Sequence, residues 1–200
     1  MQFIGQFKID EALCDSLIEL HKVADKQGLV VRGRLGGSDD GTPVVDVDRK
    51  DSYDLGLITV PDGMLEKYGI PKYYMALKEC VDAYFEQHPI LKNVGPFSIG
   101  ETPIIQHYKP GGGFKFEHFE RTGIQSTTRM LTWMTYLNDV TDGGGTHFTY
   151  QNETMQAEKG KTLIWPSDFT HTHLGVVSET QDKYIITGWL NYYDPGAYKG

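Results

Sequence analysis

Apolar positions along this chain follow two different rhythms. In the N-terminal part they recur every three to four residues. Asp10 stands where a helix N-cap belongs, Glu11 follows it, and Leu13, Leu17, Leu20 and Ala24 fall on one stripe before Gly28, which predicts a packing helix. Pro71 opens a second predicted helix with Leu77, Val81 and Tyr84 on one face, ending before Pro89. Leu29 to Arg32 predicts a short strand. The segment RLGGSDDGTPVVDVDRKDSYDLG that follows is polar and rich in turn formers, which predicts a solvated loop. Its acids Asp39, Asp40, Asp46 and Asp48 lack the twelve-residue pattern and closing glutamate of a calcium loop.

From Phe97 onward the period shortens to two. ETPIIQHY, FKFEHFE, TRMLTWMTYL, THFTYQ, ETMQAE, KTLIWP and KYIITGWLNYY predict strands, separated by turn chemistry at Asn138-Asp139, Gly143-Gly144-Gly145 and Lys159-Gly160. Helices followed by many short strands predict one mainly β domain, an antiparallel sandwich or barrel with flanking helices. We divide it into helical support with a variable loop over 1–96 and a strand core over 97–193.

Charge narrows the partners. With 27 acidic against 19 basic residues the net charge is −8, which disfavours a general nucleic-acid or anionic-membrane surface. The two cysteines, Cys14 and Cys80, lie within the helical patterns as small buried thiols rather than a disulfide framework. Neither a signal-like start nor an apolar run of membrane-spanning length occurs, so the expectation is a soluble, cytoplasmic protein.

Candidate chemistry centres on YKPGGGFKFEHFE. In a strand, His118 and Glu120 would project from the same face and together grip one divalent metal. Far along the chain stand His171 and His173, and ten residues past His173 stands Lys183. Two histidines and a carboxylate with open positions form the ligand set of non-haem Fe(II) oxygenases. We assign the metal to His118, Glu120 and His173, with His171 as competitor for the last position. A zinc hydrolase would use the same three side chains around an open water position. A catalytically silent module that keeps a structural metal is a further alternative, but it has no use for Lys183.

The ordered set YKPGGGFKFEHFE, TRMLTWMTYLNDVTDGGGTHFTYQ, EKGKTLIW and the His173 to Trp189 segment resembles the catalytic domain of the prolyl 4-hydroxylase family of iron and 2-oxoglutarate dependent dioxygenases. The resemblance covers roughly residues 104 to 192, and it is similar to small single-domain members of bacteria, algae and viruses. It implies a double-stranded β-helix, or jelly roll, with Fe(II) at its mouth held by His118, Glu120 and the distal His173. It implies that Lys183 binds the far carboxylate of 2-oxoglutarate, that Tyr108 hydrogen-bonds the same co-substrate, that Trp189 lies near the iron, and that Arg129 contacts substrate. The implied reaction consumes O2 and 2-oxoglutarate, releases succinate and CO2, and hydroxylates a C–H bond, with ascorbate as a candidate reductant. The family's default acceptor is a peptidyl proline; a free amino acid or small metabolite would use the same site. Two departures stand out: glutamate replaces the family's aspartate at Glu120, and one extra residue separates Tyr108 from His118, where the glycines Gly111 to Gly113 have room to absorb it.

Overall fold

The computed structural model describes residues 3–36 and 42–195. Its α-helices are α1 (Glu11–Lys26), α2 (Asp62–Lys67) and α3 (Ile70–Gln87). Asp10 caps α1, its Oδ1 accepting the Ala12 amide at 2.9 Å, and Pro71 sits in the first turn of α3, where a missing N–H costs nothing. The strands are β1 (Gly5–Lys8), β2 (Val31–Arg32), β3 (Lys50–Asp51), β4 (Tyr53–Gly56), β5 (Phe97–Ile99), β6 (Ile104–Tyr108), β7 (Gly113–Phe114), β8 (Arg129–Tyr136), β9 (Thr146–Phe148), β10 (Glu153–Met155), β11 (Lys161–Pro166), β12 (His173–Gly175) and β13 (Lys183–Tyr192).

The larger sheet runs β1-β11-β8-β13-β6-β4-β2, with β5 also on β13; the smaller runs β10-β9-β12, and β3 pairs with β7. All pairings are antiparallel. This is the jelly roll with flanking helices that the resemblance implies.

Period two divides the buried side chains between two cores. Leu131 and Trp133 of β8, Ile105 of β6 and Ile186 and Leu190 of β13 face the helices, where Cys14, Leu17, Leu20, Tyr73, Leu77 and Tyr84 meet them. Met134 and Tyr136, Leu163 and Trp165, Tyr108 and Ile185 face inward with Phe148 and Met155 of the smaller sheet. Each large apolar side chain so buried stabilises the fold by roughly 1.5–3 kcal/mol. Gly188 has a packing reason: a Cβ there would stand 2.5 Å from the Trp133 ring.

Three local expectations are corrected. The polar segment after Arg32 is not simply a solvated loop: β4 is an inner strand of the larger sheet, with Leu55 in the helix-facing core and Asp54 buried on the other side. Its polarity misleads because Lys50, Ser52 and Asp54 satisfy one another internally. Asp39 and Asp40 lie outside the described residues. FKFEHFE is not a continuous strand, since only Phe114 belongs to β7 and His118 rejoins the smaller sheet through an isolated bridge to His173. The glycines shape this break. Gly111 adopts φ +79° in the turn after Pro110, and the Gly112 amide donates to the Lys109 carbonyl at 2.7 Å. Finally, β1, β12 and α2 were not foreseen. No helix among the described residues is long and apolar enough to cross a membrane.

Candidate active site

The inner faces of the strands converge on a cleft of about 1050 Å³. Alternation along β13 places Lys183, Ile185, Thr187 and Trp189 on its wall, while β6 contributes Ile104, Gln106 and Tyr108. His118, Glu120 and His173 line it as well.

These three residues offer ligand atoms that all lie within 4.8 Å of one another. Glu120 Oε1 is 3.7 Å from His118 Nε2 and 3.6 Å from His173 Nε2, separations that donors roughly 2.0–2.2 Å from one common cation would have. The bridge between His118 and His173 fixes the spacing, because each residue's amide donates to the other's carbonyl at 2.9 Å. His118 Nδ1 faces the Phe116 carbonyl at 3.1 Å and His173 Nδ1 the His171 carbonyl at 2.8 Å. A carbonyl only accepts, so both Nδ1 atoms carry a proton and both Nε2 atoms are left facing Glu120.

Protonation matches. Burial, with His173 adding to it, lowers the His118 imidazole to about 4. Burial alone would push the Glu120 carboxyl up, but His173, His118 and Arg129 outweigh it and hold it down to about 2. The donor set is therefore a neutral imidazole and a carboxylate beside His173, and it fits a divalent metal. His171 is buried, yet it is not part of the cluster; it enters through its carbonyl, which orients His173.

Glu120 Oε2 accepts from the indole N–H of Trp189 at 2.9 Å. Arg129 lies over the Trp189 ring, its Cζ 3.7 Å from the centroid. It donates through Nη1 to the Glu120 carbonyl at 2.9 Å and through Nε and Nη2 to Glu101 at 2.7 and 2.5 Å.

Deeper in the cleft, Lys183 is only 8% exposed. Among the described residues its ammonium has no hydrogen-bonding or ion-pairing partner; the rings of Tyr108 and Tyr136 stand 5.4 and 5.5 Å away. Burial lowers it to about 7. The Tyr108 hydroxyl donates to Gln106 Oε1 at 2.8 Å, and Gln106 Nε2 donates to Asp54 Oδ2 at 3.3 Å. Asp54 also accepts from Lys50 and Ser52, each at 2.7 Å.

All seven side chains singled out from the sequence (Tyr108, His118, Glu120, Arg129, His173, Lys183 and Trp189) line the cleft, whereas Glu101, Gln106, Lys50 and the Asp54 behind them went unnoticed. Gln106 carried a usable signal, since it lies two residues from Tyr108 on the same strand face. Glu101 carried none, because its partner is 28 positions away.

Residues 103–191 match the model of the 2OG-Fe(II) oxygenase superfamily. Among curated proteins, the chain is similar to prolyl 4-hydroxylase subunit alpha-3 of Mus musculus, 28% identical over 99 residues, and to that of Homo sapiens, 27% identical over 99 residues. The match takes in 44% of this chain and spans 18% of the length of these relatives. Three solved structures share its architecture at 17% identity. A Pseudomonas putida prolyl-4-hydroxylase has a TM-score of 0.69, with 94% of this chain and 92% of that one covered. The viral collagen prolyl hydroxylase of Paramecium Bursaria Chlorella virus-1, in its 2OG complex, has a TM-score of 0.65 with 96% and 97% covered. A Trichoplax adhaerens prolyl hydroxylase, in complex with a hypoxia inducible factor peptide fragment, has a TM-score of 0.67 with 94% and 83% covered. Residues 103–191 thus match the 2OG-Fe(II) oxygenase superfamily, and the fold that carries them is similar to that of these prolyl hydroxylases.

Proposed function

We propose that this protein hydroxylates a peptidyl proline, with 2-oxoglutarate as co-substrate. The observation that carries the reading is a buried lysine without a partner in the same cleft as a three-ligand metal cluster. A buried ammonium is costly, and a structural metal site gives no reason to maintain one. A dicarboxylic acid does.

In this reading His118 Nε2, Glu120 Oε1 and His173 Nε2 hold Fe(II). When bound, the iron and 2-oxoglutarate supply the oxidation: 2-oxoglutarate and O2 yield succinate and CO2, and one oxygen atom enters a C–H bond. The chain's own work is binding, orientation and exclusion of water. Lys183 receives the far carboxylate as a charge-assisted pair, in surroundings dry enough to strengthen it. Met134, Trp165 and Ile185 supply the apolar wall, so that the reacting carbon meets little solvent. The cleft also reaches Leu35, Pro43 and Phe119, an extent that suits an extended peptide better than a free amino acid. The peptide complex of the Trichoplax relative supports the same class of acceptor. The free buried thiols Cys14 and Cys80 accord with the proposed cytoplasmic location.

The test is succinate release and a 16 Da mass gain on proline-rich peptides, with Fe(II), 2-oxoglutarate and O2. Stoichiometric succinate and hydroxylated peptide are expected. Oxygen-independent hydrolysis supported by zinc would overturn the reading.

A further inference from the structure

We infer that Arg129 is a positioning residue for the carboxylate ligand rather than a substrate contact. It would form, with Glu101 and Trp189, a clamp that reserves one oxygen of Glu120 for the metal. This rests on the metal centre proposed above.

The clamp answers a problem created by glutamate at this position. Compared with aspartate, Glu120 has one more rotatable bond, so its carboxylate reaches further and loses more freedom when held. It is also free to turn both oxygens toward one cation and fill a coordination position that the co-substrate needs. Here both ends of the residue are pinned. Arg129 Nη1 holds its backbone carbonyl at 2.9 Å, and Trp189 Nε1 holds Oε2 at 2.9 Å. Arg129 Nη1 also stands 3.6 Å from Oε2, adding charge without a direct hydrogen bond. Oε1 is the oxygen that approaches the two imidazoles, at 3.7 and 3.6 Å.

Arg129 has little left to offer a substrate. Its Nε and Nη2 form a two-pronged pair with Glu101, and one face of its guanidinium lies on Trp189. Glu101 is braced in turn, since Asn191 Nδ2 donates to its Oε1 at 2.9 Å. The order of support runs from Asn191 and Glu101 through Arg129 and Trp189 to Glu120. Lysine cannot replace arginine here, because an ammonium has neither the planar fork nor the stacking face.

The experiment uses the full chain and Co(II) as metal probe, reading the dissociation constant by competition and the coordination number from the visible d–d spectrum. Arg129→Ala, Arg129→Lys and Glu101→Gln should each weaken Co(II) by about 10- to 100-fold and alter the d–d spectrum. In a Glu120→Asp background, where the shorter side chain withdraws from the clamp, Arg129→Ala should add little. If wild-type protein binds Co(II) and these variants match it in affinity and spectrum, while only the KM for peptide rises, Arg129 is a substrate contact and the clamp is wrong. Should Arg129→Ala lose its fold by circular dichroism, Glu101→Gln decides alone. Wild-type protein that binds no Co(II) or Fe(II) would remove the metal centre itself, and the clamp with it.

Discussion

Two lysines are buried in the same cleft and are held in opposite ways. Lys50, 5% exposed, has its ammonium 2.7 Å from Asp54, whose other oxygen accepts from Ser52. Lys183, 8% exposed, has aromatic rings for company and no anion. The first is a finished ion pair, built into the connection between β3 and β4. The second is half of one. The contrast sets the two lysines apart: Lys50 is a charge the fold itself satisfies, and Lys183 is the charge proposed above to receive a visiting anion.

The largest expected effect breaks the finished pair. Asp54→Ala strands the Lys50 ammonium without its partner and should cost about 3–5 kcal/mol of unfolding free energy in urea denaturation. A loss under about 1 kcal/mol would mean that Lys50 escapes to water and that the two lysines are not so different. Next comes Lys183→Met, which should act in two directions. Co-substrate affinity should fall by about 2–5 kcal/mol in calorimetric titration, while the ligand-free protein melts at a higher temperature because the cost of burying this lysine, charged below about pH 7 and deprotonated above it, is gone. Destabilisation of the ligand-free protein would show that Lys183 is structural.

A smaller effect concerns pH. Burial lowers Lys183 to about 7 from its ordinary 10.5, so between these values the unfolded chain holds a proton that the folded one lacks. This group's contribution to stability therefore rises with pH from about 7 to about 10.5, and below 7 the buried ammonium is a full penalty. A bound carboxylate favours the ammonium. Co-substrate affinity should be greatest at or below pH 7 and weaken by up to about tenfold per unit above it, with close to one proton taken up at pH 8.5. Titration in buffers of different ionisation enthalpy measures that proton, and zero uptake would contradict a neutral resting Lys183. The smallest change is Tyr108→Phe. Its hydroxyl already donates to Gln106, so removal should alter co-substrate affinity by only about 0.5–1.5 kcal/mol. A larger loss would show that the hydroxyl turns to the co-substrate.

The same contrast explains what the sequence made legible. Lys183 and Trp189 lie six residues apart in an alternating run, so period two alone puts them on one face, and their strand was foreseen. His118 and Glu120 were expected to share a strand face; they instead sit where the chain crosses a single bridge to His173, and the metal cluster survives the change because that bridge supplies the spacing. Lys50 and Asp54 were hidden. A polar run near glycines has the composition of a solvated loop, and nothing local shows that Asp54 lies beside Gln106 in β6. The pairing of Arg129 was hidden for the same reason, since its partner Glu101 belongs to another part of the chain. Local periodicity reveals faces, whereas charge satisfaction depends on contacts between distant segments.

The central claim is that Lys183 seats an exchangeable dicarboxylate beside a metal held by His118, Glu120 and His173. Anaerobic titration of the Fe(II)-loaded protein with 2-oxoglutarate, followed by visible absorption, tests it most directly. The account predicts a metal-to-ligand charge-transfer band that saturates in the native protein and needs far more 2-oxoglutarate in Lys183→Met. An iron-loaded native protein that shows no band, or a Lys183→Met variant that titrates like the native one, would contradict it.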